Sequence, residues 1–89
     1  MVKEIIVMAN FFVQLHYQEG GKEVYELKGV DKGIEYDVTY VGEKLPVDDK
    51  VKFFAKIKAD CDSVTVPELS GMTKHVEICV AKEVLIEHD

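Results

Sequence analysis

The stretch KVKFFAKIK, residues 50–58, interleaves lysines with aromatic and aliphatic side chains. In an extended chain, side chains alternate between two faces, so four lysines share one face with Phe54. The four are Lys50, Lys52, Lys56 and Lys58. Cations that follow phosphates and a ring that stacks on a base are what a single-stranded nucleic acid requires. The same pattern is also typical of an ordinary solvated strand face.

The charges around this stretch favour the solvated face. Five lysines and five acidic residues lie between Glu43 and Asp62, so the segment sums to zero. If the strand paired antiparallel with the preceding one, Glu35 and Asp37 would lie opposite its lysines. The chain as a whole carries a net charge of −6, and all eleven of its basic residues are lysine. Because arginine is the usual residue for bidentate phosphate recognition and affinity depends on phosphate neutralisation, we do not expect nucleic-acid binding.

The candidate metal ligands have poor spacing. Cys61, His75 and Cys79 are soft ligands, but they form no CxxC or HxxxH pair. On one strand His75 and Cys79 would lie about 13 Å apart, too far to hold one zinc ion. The stretch DCDS lacks the glycine and downstream glutamate of a calcium loop. We therefore predict no metal and no cofactor.

Residues able to act as nucleophile and base are present without a motif. The nucleophiles are Ser63, Ser70 and Cys61, and the bases are His16, His75 and His88. No nucleophile elbow or glycine-rich phosphate loop accompanies them. We predict no catalytic residue and no enzymatic activity.

Cys61 and Cys79 could form one bridge, but two cysteines are too few for a disulfide framework and also occur as buried apolar side chains. We favour the unbonded state over the single bridge. The N-terminal run EIIVMANFFVQL is interrupted by Asn10 and Gln14, and no small-residue cleavage site follows it. We predict a cytoplasmic location and no membrane contact.

A period of two in hydrophobicity dominates the chain and predicts the elements that position these residues. Alternation over 3–17, 34–41 and 51–59 indicates strands, and shorter runs near 22–29, 63–67 and 75–87 are consistent with more. The first strand is so long that we expect it to bend near Ala9 and Asn10. We also expect a bulge near Lys82. The predicted fold is all-β, one domain over residues 1–89, an antiparallel five- to six-stranded sandwich or open barrel. The alternative is an α+β fold with a helix at about 49–60 or at the C-terminus.

The first strand is apolar on both faces in its first half, since Ile6, Met8 and Phe12 interrupt the polar side. Either this half is buried between two layers or it contacts a second chain.

From size and charge we predict a small acidic, non-catalytic protein-binding module. It would act as a stoichiometric inhibitor, adaptor or accessory subunit, and a virus-encoded inhibitor of a host nucleic-acid enzyme is one version. The alternatives are an OB-like binder of single-stranded nucleic acid and a structural subunit, a homo-oligomer that assembles through its first strand. The candidate contact residues are Ile6, Met8, Phe12, Glu35, Asp37, Lys52, Phe54 and Lys56.

Overall fold

The computed structural model describes residues 2–87, and strands account for most of them. The five strands are β1 (Val2–Glu19), β2 (Lys22–Asp31), β3 (Ile34–Gly42), β4 (Asp48–Pro67) and β5 (Thr73–Ile86). Residues 2–87 include no helix, and thus none that could cross a membrane. The all-β prediction is confirmed. The helical alternatives are wrong, because β4 and β5 run through both segments.

The five strands close into one barrel in the order β1-β2-β3-β5-β4. Four of the pairings are antiparallel, and the pairing of β3 with β5 is parallel. The structure is therefore a closed barrel rather than a sandwich. The parallel pair departs from the antiparallel pattern predicted from the sequence.

β1 crosses from one neighbour to another along its length. Its first part pairs with β4 and its second part with β2, and the two sets of pairs overlap at Phe11 and Val13. Eighteen extended residues would reach about 59 Å, whereas the longest dimension of the molecule is 40 Å. β1 must therefore curve, as a strand that turns a barrel corner does. The change of partner lies just beyond the bend expected at Ala9 and Asn10.

The barrel interior is filled by alternate side chains from all five strands. Its most deeply buried members include Phe11, Val13, Tyr25, Leu27, Val38 and Ile57. The segment between β3 and β4 covers one end, where Leu45 is buried. Of the β4 residues that alternation places inside, Ile57 is fully buried and Phe53 partly, but Val51 is 49% exposed.

Cys61 and Cys79 lie directly opposite each other on β4 and β5 and form a disulfide bond inside the barrel. Both cysteines are buried, as expected. The expectation that they stay unbonded is wrong, because the register brings them face to face, which the sequence separation of 18 does not reveal.

The predicted bulge in the last strand is confirmed. Lys58 pairs with Glu83 and Ala59 with Ala81, so Lys82 is an extra residue of β5. The bulge aims the Lys82 ammonium at the carboxylates of Glu4 and Asp60, at 2.6 and 3.4 Å.

Candidate functional site

The lysine-bearing strand lies beside β1, not beside β3. The register places Phe54 opposite Asn10, Lys56 opposite Met8 and Lys58 opposite Ile6. Glu35 and Asp37 would lie opposite these lysines only if β4 paired with β3, and that condition is not met. β3 pairs with β2 and β5. Around the closed barrel, β2 and β1 lie between β3 and β4 on one side, and β5 lies between them on the other.

A large irregularity in β4 shapes the end of this face. Phe11 pairs with Phe53 and Val13 with Asp48, so the single residue Phe12 faces β4 residues 49–52. Extra residues in one strand bend it and redirect its side chains. Here the displaced segment leaves Val51 exposed and brings the Lys52 ammonium over the Phe12 ring, 5.1 Å from the ring centroid.

Phe12 and Lys52 line a groove of about 200 Å³ on the outside of the barrel. The remaining lining residues are Lys28, Gly29, Val30 and Glu35. Three of the candidates named from the sequence, Phe12, Glu35 and Lys52, thus lie in one groove, although they come from three strands. Lys28 and Val30 were missed, because only the pairing of β1 with β2 places them beside Phe12.

Several lysines of this face keep an uncompensated charge. Lys58 lies 3.9 Å from Glu4, but Glu4 bonds more closely to Lys82, whose hydrogen bond and charge hold the pKa of Glu4 below its usual range. Within residues 2–87, no carboxylate oxygen lies within 4 Å of the Lys52 or Lys56 ammonium. The local neutralisation expected from the sequence is absent at these two positions.

The carboxylates collect on the neighbouring outer face of β2 and β3. Lys28 bonds to Glu26 at 3.3 Å, and this contact raises the pKa of Lys28. Partial burial is the main cause that raises the pKa of Asp37, and the nearby Glu26 carboxylate raises it further. Glu35 instead bonds to Lys74 at 3.2 Å. This acidic face borders the groove on the side away from β4.

Ile6 and Met8 of β1 point outward and are not covered by a second layer. Ile6 is 61% exposed and Met8 54%, and Leu85 of β5, across β4 from Met8, is 53% exposed. Burial of this half-strand between layers is therefore excluded.

Two of the residues considered for catalysis, Ser63 and His75, lie beside Glu77 near the beginning of β5. Glu77 is 3% exposed, and its carboxylate accepts hydrogen bonds from the Ser63 hydroxyl at 2.7 and 2.9 Å. The Lys3 ammonium and the His75 Nε2 lie 3.0 and 3.3 Å from the same carboxylate. Burial alone would raise the pKa of Glu77, but these donors outweigh it and lower that pKa.

A buried carboxylate held in the ionised form by hydrogen bonds from Ser63 and Lys3 is a structural junction. It joins β1, β4 and β5. In a nucleophilic triad the base contacts the nucleophile and the acid orients the base, whereas here the carboxylate contacts Ser63 directly. His88 lies outside the described residues, and within 2–87 no three histidine, cysteine or acidic side chains are placed to hold a metal ion.

The sequence matches no protein-family model and no curated protein, and the fold matches no solved structure.

Proposed function

We propose that this protein binds single-stranded nucleic acid on the outer face of β1 and β4. We call this surface the β1–β4 face and define it by Phe12, Phe54 and the four lysines of residues 50–58. The observation that supports the proposal is the identity of the neighbouring strand. Beside Lys52 and Lys56, β1 contributes Phe12 and Met8 rather than carboxylates. Lys58 differs, because Glu4 of β1 lies 3.9 Å from it and Glu83 of β5 lies opposite it.

The net charge of −6 does not prevent local binding. Counterion release depends on the cations that contact phosphates, and at moderate salt a charge more than about 10 Å away is largely screened. The carboxylates Glu26 and Asp37 lie on the face of β2 and β3. They would repel a phosphate backbone from that side and direct it along β4.

The architecture is compatible with this role. A five-stranded barrel is also the form of the OB fold, in which outer strand faces bind oligonucleotides. One fold hosts many functions, so this likeness is secondary support. The proposal depends on the residues of the β1–β4 face.

The test is fluorescence anisotropy with a labelled single-stranded oligonucleotide of about ten nucleotides, within the usual range of site sizes. Four lysine–phosphate contacts give a slope of log affinity against log salt near −2.8, which is about a 50-fold loss between ~50 and ~200 mM salt. Lys56→Gln should reduce the slope by about 0.7. Lys22→Gln, at the first residue of β2 and away from the β1–β4 face, should leave it unchanged. Binding no tighter than about 10⁻⁴ M at ~50 mM salt would refute the proposal.

A second candidate is binding to another protein, as an inhibitor, adaptor or accessory subunit. It is favoured by the exposure of Ile6, Met8 and Leu85, which give the same surface an apolar component. A photo-crosslinking residue at Met8 should then form one discrete adduct with a partner protein in a native extract. The same residue at Thr65, exposed on the far part of β4, should not. Equal labelling from both positions, or none from Met8, would remove this candidate.

A further inference from the structure

The groove over Phe12 offers one face of an aromatic ring to a ligand. Lys52 is exposed and lies over that ring, so only a flexible side chain covers it. Val30 of β2, 60% exposed, adds an apolar wall. A nucleobase can stack on a phenyl ring whatever its identity, and the displaced lysine would then be free to contact the adjoining phosphate.

Glu35 gives the groove a hydrogen-bond acceptor whose charge is already compensated. Its Oε2 lies 3.2 Å from the Lys74 ammonium. Within residues 2–87 the other oxygen, Oε1, has no ion pair or hydrogen bond. A carboxylate paired in this way repels a nucleic acid less than a free one does, and it can still accept a hydrogen bond from an amino group.

We propose that this groove binds one unstacked nucleobase, stacked on Phe12, and that Glu35 selects a base with an exocyclic amino group. The inference rests on the proposed function, because the lysines of the β1–β4 face must first hold the strand. A carboxylate accepts a hydrogen bond from the amino group of cytosine, whereas thymine presents a carbonyl oxygen at the same position.

The first test concerns stacking. Phe12→Ala should weaken binding of a single-stranded oligocytidylate by about 5- to 150-fold, the effect of losing one stacked base. Phe12→Leu keeps apolar bulk without a ring, so it should lose most of the same affinity even if the alanine variant is poorly folded. Tyr17→Leu removes an exposed aromatic ring outside the groove and serves as the matched control.

The second test concerns base preference. The wild-type protein should bind oligocytidylate about 2- to 12-fold more tightly than oligothymidylate of equal length, the value of one net hydrogen bond. Glu35→Gln should remove most of this preference while leaving the salt dependence unchanged, because a glutamine amide can pair with either base. Salt-dependent binding that is insensitive to Phe12→Leu and shows no preference for cytosine would overturn the base-pocket inference and leave the proposed function standing. Absence of salt-dependent binding to both oligonucleotides would refute the proposed function itself.

Discussion

Glu77 shows how a single buried residue makes the stability of this barrel depend on pH. Its folded-state pKa lies below the ordinary value of 4.5, because hydrogen bonds from Ser63 and Lys3 outweigh the cost of burial. The unfolded chain therefore binds the proton more tightly than the folded chain does. The stabilisation is complete above about pH 4.5 and is lost as the pH falls through the folded-state pKa.

We expect Glu77→Gln to lower stability at neutral pH and to flatten the loss of stability on acidification. The amide cannot provide a charge for Lys3, and it does not titrate. Urea denaturation midpoints near pH 7 and near pH 3 measure both effects. Glu68→Gln, in the exposed β4–β5 turn, should behave like the wild type. An acid dependence that survives Glu77→Gln unchanged would contradict this role.

The disulfide between Cys61 and Cys79 acts at the scale of the element, because it fastens β4 to β5. In the chain-entropy model, closing a loop of this length stabilises the folded state by about 3 kcal/mol, and the bond spans a sequence separation of 18. Reduction should therefore lower the free energy of unfolding by about 2 to 4 kcal/mol. Guanidinium denaturation with and without a thiol reductant measures this change in the free energy of unfolding.

The Cys61→Ala, Cys79→Ala double variant supplies the control for this prediction. Its stability should resemble that of the reduced protein and should not respond to the reductant. A wild-type protein whose denaturation midpoint is unchanged by complete reduction would contradict a stabilising role. Because disulfides are rare in the reducing cytosol, a large effect would also weigh against the cytoplasmic location predicted from the sequence.

Gly29 permits the close approach of β1 and β2 at the point where β1 changes partner. A Cβ atom added there would lie 2.6 Å from the Asn10 carbonyl oxygen and 2.7 Å from the Phe11 ring. Both neighbours belong to the packed barrel, so they cannot yield as a flexible surface side chain would. Gly29→Ala should therefore cost about 1 to 3 kcal/mol, as overpacking of a core does.

Thermal denaturation followed by circular dichroism tests the Gly29 prediction. Thr39→Ala, at an exposed position of β3, is the matched control and should change stability by less than about 0.5 kcal/mol. If Gly29→Ala melts at the wild-type temperature, β1 and β2 are less tightly packed than described.

The sequence predicts the local structure of the strands better than it predicts which strands pair. Alternation alone identified the strands and the bulge at Lys82, because each depends on neighbours along the chain. The position of Lys52 over Phe12 depends on which strand lies beside β4, and alternation contains no information on strand order. The supposed partners Glu35 and Asp37 were placed by assuming that consecutive strands pair. That assumption is true of β1, β2 and β3 but not of β3 and β4.

At the scale of the whole molecule, the pairing of β1 bears on how the chain could assemble. β1 has a strand on both sides only near Phe11 and Val13, and its first part pairs with β4 alone. Self-association through the outer face of the first strand would use Ile6 and Met8, which lie beside Lys58 and Lys56. The same contact would cover the lysines proposed to bind phosphates. Assembly through this face and nucleic-acid binding should therefore compete.

Substitutions at Met8 separate these two uses of the face. Met8→Lys adds a cation beside Lys56 and removes an exposed apolar side chain, and Met8→Glu removes the same side chain but adds an opposing charge. We expect Met8→Lys to strengthen oligonucleotide binding and to steepen the salt slope by up to about 0.7, while Met8→Glu weakens binding. Both variants should abolish self-association, measured as light-scattering mass against the 10.1 kDa of one chain at high micromolar concentration. Oligonucleotide added to the wild-type protein should return any dimer to the monomer. A dimer that persists in both variants, or an oligonucleotide affinity indifferent to the sign of the charge at position 8, would place the contact elsewhere on the barrel.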